Sequence, residues 1–487
     1  MQLLLPLGLA TLGTAYVLQE GTTCILYPES LKNEGQAVDD APSIHEAFEL
    51  CGTDGEVIFT DHTFHINSVL NTTNLANCDV VLRGELRFSD DIEYWLANSY
   101  SVVFQDQSTA WLFGERMSPL GGKGAGTTVT AKHGIPRTET TATNPVARSV
   151  SLFMNPKNLW VDHLNITQPQ FWATFVSHSY NVSITNFYVS AISNDEWGTV
   201  NTDGYDSWNS DTLLVENAYI TNGDDCIAVK GNTTNLTVRN VVCNWGFGMA
   251  VGSLGQYPAT PDYVENILFE DIVCNNCMEA AFIKTWQGIP EDDSSNGDAG
   301  GGGSGTVKNV QFRNFELTNV ALPIQISQCI YNEAENNCNT SKMAISDVTW
   351  SNIKGTTRYN VAASIYCSDL HPCPGIRFED VELQSVNSTL GLPMSGTNIQ
   401  HEVYQCQNII DQEDSGVPCN RVAPDNYSQV VSSNISDDDD SDDNDETPGT
   451  PGVKNGPSVA SSGDSDHPGF GAGSRQEKLS FESMGKI

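Results

Sequence analysis

The chain has 487 residues, 39% of them apolar, and its 61 acidic and 23 basic side chains give a formal net charge of −38. Nucleic-acid binding needs a basic surface, so this charge argues against that class of function. No stretch approaches the about 18 consecutive apolar residues of a membrane-spanning helix, which argues against a membrane protein.

The chain opens on an apolar segment. Leucine-rich residues 3–10 are followed by small residues at 13–15, a pattern typical of a signal peptide, so residues 1–15 are predicted to be a leader. No Lys or Arg precedes the run, and a buried N-terminal strand is the alternative. Nine Asn-x-Ser/Thr sequons and thirteen cysteines, all beyond residue 15, favour a secreted, extracellular protein.

Ten of the cysteines fall into pairs that lie close in sequence. Local disulfides are predicted at Cys24/Cys51, Cys226/Cys243, Cys329/Cys338, Cys367/Cys373 and Cys406/Cys419. An odd number of cysteines leaves one thiol over. Cys274 and Cys277 have the spacing of some zinc and redox sites, but no second such pair or His pair stands nearby, so we predict no metal there.

Residues 41–51 are predicted to be a helix, because their apolar side chains recur at helical spacing. From Asn181 onward, a short β-rich phrase that ends in Asn, Asp or Glu recurs without intervening helices. Its copies lie at residues 181–186, 212–217, 235–240, 265–270, 308–314 and 375–380, with a weaker one at 345–350. Such repetition predicts an all-β fold of stacked coils, a parallel β-helix, with a sandwich or propeller as the alternative. The helix could cap the open end of the stack.

The predicted domain boundaries follow from this pattern. Residues 24–425 are expected to form a single-domain β-helix that carries the catalytic site. The tail at 437–487 opens with a run of Asp and continues in Gly, Pro and Ser. It is predicted to be disordered, because it lacks the apolar side chains that could form a core.

Two acidic motifs stand about one coil apart. Residues 201–204 read Asn-Thr-Asp-Gly and residues 223–226 read Gly-Asp-Asp-Cys. Stacked coils would place equivalent positions about 4.8 Å apart, so Asp203, Asp224 and Asp225 should crowd one surface patch. Crowding raises the pKa of at least one carboxyl, and a glycosidase needs one protonated and one ionised carboxyl. A calcium site or a solvated turn is the alternative.

These motifs, together with Gly-Ser-Leu-Gly at 252–255 and Ile-Lys at 283–284, resemble the polygalacturonase family of glycoside hydrolases, family 28, in order and spacing. Residues 95–100 are similar to its fungal exo-acting branch. The resemblance covers roughly residues 24 to 420 and implies a right-handed parallel β-helix with the pectin-lyase-like architecture. It implies an inverting reaction with Asp224 as general acid, and with Asp203 and Asp225 activating water. Asn201 would hold this group in place, and Lys284 would meet a substrate carboxylate.

The chain departs from the family pattern at two positions. Phe247 stands where the family has His, and Phe282 stands where it has Arg. Rhamnogalacturonan-cleaving relatives similarly lack both residues, and an apolar Phe282 suits a neutral deoxy sugar better than a uronate. A standard endo-polygalacturonase is therefore not expected.

We expect a secreted, monomeric, exo-acting hydrolase that needs no metal or cofactor. It would release terminal galacturonic acid from a pectic polysaccharide, either homogalacturonan or rhamnogalacturonan. The alternatives are a rhamnogalacturonan hydrolase that cuts galacturonate–rhamnose linkages, and an inactive carbohydrate-binding β-helix. A calcium-dependent pectate lyase would need an Arg base, and no Arg accompanies the Asp motifs.

Overall fold

The computed structural model describes residues 17–32, 35, 37–102, 104–105, 107–115, 127–131, 149–192, 199–290, 300–330, 337–385 and 402–424. The predicted leader at 1–15 and the predicted tail at 437–487 lie outside these residues. Within them, the helices are α1 (Ala41–Cys51) and α2 (Ile92–Asn98), with short 3-10 turns at Glu29–Leu31, Cys338–Thr340 and Gln412–Asp414. None of the described helices has the length and apolar character needed to cross a membrane.

The described part of the chain is otherwise built from strands. In chain order they are β1 (Val17–Glu20), β2 (Thr23–Leu26), β3 (Thr53–Phe59), β4 (Thr63–Ile66), β5 (Leu70–Leu82), β6 (Glu85–Phe88), β7 (Tyr100–Ser101), β8 (Ser108–Glu115), β9 (Thr127–Ala131), β10 (Ser149–Met154), β11 (Lys157–Asp162), β12 (Asn165–Thr167), β13 (Thr174–Ser177), β14 (Tyr180–Ser190), β15 (Tyr205–Trp208), β16 (Asp211–Thr221), β17 (Ile227–Val229), β18 (Thr233–Asn244), β19 (Met249–Leu254), β20 (Asp262–Asn275), β21 (Glu279–Thr285), β22 (Ser304–Val320), β23 (Leu322–Ser327), β24 (Lys342–Thr357), β25 (Val361–Tyr366), β26 (Ile376–Ser385), β27 (Val403–Gln407) and β28 (Arg421–Val422).

Successive coils pair in parallel along two rows. The long strands β14, β16, β18, β20, β22, β24 and β26 form one row, each paired with the next. The short strands β13, β15, β17, β19, β21, β23, β25 and β27 form the other. Each coil therefore contributes one long and one short strand. The predicted all-β parallel β-helix is confirmed.

Five of the recurring phrases end on an Asn or Asp of positive φ, and in the phrase at 265–270 the next residue, Asp271, has it. Asn and Asp tolerate a positive φ better than other non-glycine residues. Their side chains also bond between coils: the Asn217 amide donates to Asn186 at 3.3 Å, and the Asn240 amide donates to Asn217 at 2.7 Å. The amides of Asn314 and Asn352 continue such ladders further along the stack. The repeated Asn and Asp are thus corner residues of the coils.

The core lies inside the coils as ladders of apolar side chains. Phe269, Phe312 and Trp350 from three consecutive long strands stack with ring centroids 5.1 and 5.5 Å apart. Helix α1 packs against β2, β3 and β5 and buries Ile44 and Phe48, so the predicted cap is present at the N-terminal end. It closes the apolar interior that the first coil would otherwise expose.

All five predicted disulfides are present, at Cys24–Cys51, Cys226–Cys243, Cys329–Cys338, Cys367–Cys373 and Cys406–Cys419. Three thiols remain instead of one, because Cys78, Cys274 and Cys277 are all unbridged and buried. Disulfides persist in oxidising compartments, so five of them are consistent with an extracellular location.

Candidate active site

The two acidic motifs occupy equivalent places on consecutive coils. Strand β15 pairs with β17 so that Tyr205 lies opposite Ile227, which places Asp203 level with Asp225. One carboxylate oxygen from each of Asp203, Asp224 and Asp225 lies within 4.8 Å of the others. Asp203 and Asp225 are buried, whereas Asp224 is only partly buried. The predicted crowding is therefore present, and Asp224 is the most exposed of the three.

The Asp224 carboxylate is fixed by backbone groups. The backbone N–H of Asn201 donates to Asp224 Oδ2 at 2.9 Å, and that of Asp225 donates to Oδ1 at 2.8 Å. Asn201 has a φ of 50°, in the left-handed region that Asn tolerates better than most residues. The predicted contact of Asn201 is therefore made by its main chain. The sequence motif could not distinguish a backbone donor from a side-chain donor.

Lys284 enters the cluster from two coils further along. Strands β19 and β21 pair with Gly252 opposite Lys284, so the third and fourth motifs meet there. The Lys284 ammonium lies 2.8 Å from Asp225 Oδ2 and 3.1 Å from Oδ1, and both residues are buried. A Cβ at position 252 would stand 2.1 Å from the Lys284 carbonyl oxygen, so glycine is required beside this strand.

Burial and mutual repulsion raise the proton affinity of the cluster. Burial is the largest cause of the raised pKa of Asp224, followed by the charge of Asp225. Burial also raises the pKa of Asp203 well above its ordinary value, with Asp206, Asp224 and Asp225 adding to the effect and Lys230 opposing it. Such a group can hold a proton at a pH where an isolated carboxyl has lost it.

Three further ionisable groups join the site that the motifs did not indicate. Lys230 lies 3.3 Å from Asp206 and 3.9 Å from Asp203. Burial raises the pKa of Asp206 to about 7, with Lys230 opposing the shift. Burial likewise raises the pKa of Glu279 to about 8, with Lys284 opposing it. Each of these residues borders or interrupts an apolar strand, which is the signal that could have identified them.

An apolar cluster lies beside the carboxylates at the two departures from the family pattern. Ala228, Ala250 and Phe282 stack in register on β17, β19 and β21, and Phe247 packs against them. The Lys284 ammonium lies 5.3 Å from the centre of the Phe282 ring. Positions 247 and 282, expected from the family to carry a His and an Arg, therefore belong to one apolar cluster next to Lys284, in which Phe282 is buried and Phe247 half-buried.

Two groups among the described residues have a spacing that could hold a metal ion: the three Asp, and Cys243 with Cys274 and Cys277. Cys243 is already bonded to Cys226, which removes one thiolate from the second group. In the first group, the ammonium groups of Lys284 and Lys230 already lie beside Asp225 and Asp203. The sequence prediction of no metal therefore stays a prediction.

A family model described as glycosyl hydrolases family 28 matches residues 63–406, a span that contains every residue of this site. The chain belongs to this family. It is therefore a glycosidase, as the motifs predicted. An exopolygalacturonase of Cochliobolus carbonum is 35% identical over 367 residues, 74% of this chain and 81% of that protein. The alpha-L-rhamnosidase rgxB of Aspergillus niger is 34% identical over 375 residues, 76% of this chain and 85% of that protein.

Among solved family structures, the endo-xylogalacturonan hydrolase of Aspergillus tubingensis superposes with a TM-score of 0.65. It is 24% identical, and the match covers 82% of this chain and 100% of that one. This likeness establishes that the two proteins share a fold.

Proposed function

We propose that this protein is a secreted, exo-acting, inverting hydrolase that releases terminal galacturonic acid from homogalacturonan or rhamnogalacturonan. The observation that carries the proposal is the cluster of Asp203, Asp224 and Asp225, whose oxygens lie within 4.8 Å of one another, with Lys284 against Asp225. Similarity to an exopolygalacturonase supports the exo mode and the pectic substrate. The five disulfides support secretion.

Asp224 is the proposed general acid. It is the partly exposed carboxyl of the three, two backbone N–H groups orient it, and burial favours its protonated form. It would give its proton to the glycosidic oxygen as the bond from that oxygen to the anomeric carbon breaks. The departing sugar leaves as a neutral alcohol, and Asp224 is left as a carboxylate that regains a proton from solvent.

Asp203 and Asp225 are the proposed pair that activates water. The water oxygen would bond to the anomeric carbon from the face opposite the leaving group, and its proton would pass to this pair. The Lys284 ammonium lies 2.8 Å from Asp225 Oδ2 and holds that carboxylate in place. In the same position, Lys284 would also attract the carboxylate of a uronate at the cleavage point, while Asn201 keeps Asp224 in place.

The exo mode is tested by the products from long, saturated homogalacturonan. Galacturonate monomer should be the only early product, because one chain end is bound at the site in each turnover. A matched substrate whose non-reducing ends carry the unsaturated sugar left by a lyase should resist hydrolysis, since that end cannot be recognised. An early ladder of oligomers would contradict the exo mode.

The stereochemistry of the product is a separate expectation. The clustered oxygens lie within 4.8 Å of one another, closer than the about 6.5–9.5 Å between the carboxyls of most inverting enzymes. Distance alone therefore does not decide the outcome. With direct attack by water, the first product should be the β-anomer, which NMR of the early time course would detect before mutarotation. Initial release of the α-anomer would contradict direct attack.

A second candidate is hydrolysis at a rhamnose-containing linkage. The apolar cluster of Phe282 and the half-buried Phe247 beside Lys284 favours it, because rhamnose carries a methyl group and no carboxylate. Similarity to an alpha-L-rhamnosidase also supports it. The third possibility, an inactive carbohydrate-binding β-helix, is disfavoured because the chain retains all three Asp in one cluster.

A further inference from the structure

A second buried lysine, Lys230, contacts a different member of the carboxylate cluster from the one that Lys284 contacts. Lys230 directly follows β17, one coil away from β15, which carries Asp206. Its ammonium lies 3.3 Å from Asp206 Oδ1 and 3.9 Å from Asp203 Oδ2. The whole Lys230 residue is only 5% exposed, and Asp206 is fully buried. The pair is therefore shielded from solvent and from salt.

The indole ring of Trp172 packs beside the Lys230 ammonium. The Lys230 ammonium lies 4.8 Å from the centre of the Trp172 ring, which packs in an apolar cluster with Val102, Phe104 and Phe175. A cation beside an aromatic face in a dry environment is held strongly in position. Removing one charge from such a pair leaves the other buried without compensation, which is costly.

We propose that Lys230 is a positioning residue that keeps Asp203 in place and negatively charged, with Asp206 as the anion that holds the ammonium beside it. Lys230 would act through Asp203 and would not touch the substrate. This assignment rests on the proposed function, in which Asp203 helps to accept the proton of water. The site then holds two buried lysines, Lys230 beside Asp203 and Lys284 beside Asp225.

The charges around this pair predict opposite effects for its two members. Asp203 faces Asp206, Asp224 and Asp225 as anions and Lys230 as a cation. Lys230 in turn faces Asp206, Asp203, Asp225 and Lys284. Loss of the Lys230 charge should make Asp203 harder to ionise. Loss of the Asp206 charge should make Asp203 easier to ionise, because among the neighbouring charges Asp206 raises the pKa of Asp203 most.

The test compares the pH dependence of kcat/KM for Lys230→Met, Lys230→Arg and Asp206→Asn on defined galacturonan and rhamnogalacturonan oligomers. In Lys230→Met, the acid limb of the profile of kcat/KM against pH should move up by about one pH unit or more. At a pH below that limb, kcat/KM should fall about tenfold relative to the wild type. The limb should move down in Asp206→Asn and stay near the wild-type position in Lys230→Arg. Lys308→Met is the control, because it removes an exposed positive charge on β22, outside the carboxylate cluster. It should leave the acid limb at the wild-type position.

A merely structural role would lower activity equally at every pH without moving the limb, and that result would overturn the assignment. If Lys230→Met does not fold, the double variant Lys230→Met/Asp206→Asn removes one charge of each sign and should fold. Its limb should lie between those of the wild type and Lys230→Met. A limb that stays at the wild-type position in both Asp206→Asn and the double variant would equally overturn it.

Thermal unfolding gives a readout that needs no substrate. Burial raises the pKa of both Asp203 and Asp206 in the folded chain, so the stability they contribute is present at low pH and lost as pH rises. Without the Lys230 cation this loss should be larger, so the Tm difference between wild type and Lys230→Met should widen by about 3 °C or more from pH 4 to pH 7.

The two readouts separate the possible failures. A wild type that hydrolyses none of the oligomers would refute the proposed function, whatever the unfolding data. A Tm difference that does not change with pH would refute the charge-holding role of Lys230, even in an active enzyme.

Discussion

Asp224→Asn is expected to lower kcat by about 10²–10⁴-fold and to leave the fold intact. The amide has no acidic proton, so the leaving sugar would depart as an unprotonated alkoxide. The oxygen of the side-chain amide in the variant can still accept one of the two backbone N–H hydrogen bonds that Asp224 accepts in the wild type. The measurement is kcat on defined oligomers, together with Tm and circular dichroism to verify folding.

Asp40 offers a matched control for this variant. Its carboxylate also accepts two backbone N–H bonds, from Glu29 at 2.6 Å and His65 at 2.7 Å, and it is buried near the N-terminal cap. Asp40→Asn should therefore reproduce the structural cost of the amide and leave kcat near the wild-type value. Near-normal turnover in Asp224→Asn, or an equal loss in both variants, would contradict the assignment of the general acid.

Phe282→Arg is expected to shift linkage preference toward galacturonate–galacturonate bonds by about 1–3 kcal/mol, because one charge-assisted contact is gained. Phe282 is 2% exposed and belongs to the apolar cluster beside Lys284. Lys284 is a point charge and cannot grip a carboxylate in the bidentate manner of a guanidinium. The measurement is the ratio of kcat/KM for galacturonate–galacturonate and galacturonate–rhamnose linkages in wild type and variant.

Phe282→Leu is the control for the same position, since it removes the ring but adds no charge. It should lower activity on both linkages by similar factors and leave their ratio nearly unchanged. An unchanged ratio in Phe282→Arg would refute the role given to position 282. A shift of equal size in Phe282→Leu would show that the ring, and not the missing guanidinium, sets the preference.

The fold could be predicted from the sequence because its corners have a local chemical cause. Asn186, Asn217 and Asn240 end the recurring phrases, and each has the positive φ that an Asn tolerates. The stacking of Asp203 on Asp225 followed from the same repetition, since a distance of one coil fixes which positions become neighbours. Both features depend only on short-range geometry and a repeat.

The remaining parts of the site depend on distant contacts. Lys230 and Asp206 come from adjacent coils, and neither belongs to a motif. Lys284 is 59 residues from the Asp225 that it contacts, so its partner could not be inferred from spacing. Asn201 was expected to hold the carboxylates in place, but a motif specifies a residue and leaves open which of its groups donates; here the backbone N–H of Asn201 contacts Asp224.

The hydrogen-bonded ladders of corner Asn and Asp residues also show that coils can align with one another although their lengths differ. Bonded corner residues are 23 residues apart between Asn240 and Asn217, 31 between Asn217 and Asn186, and 43 between Asn314 and Asp271. The stack therefore accepts coils of very different size, as long as each returns to the same corner. Extra residues must leave the coil as loops, and loop-closure entropy grows only slowly with length. The loops around the carboxylates can thus be lengthened, shortened or replaced during evolution while the paired strands keep their register. One scaffold can therefore act on many polysaccharides.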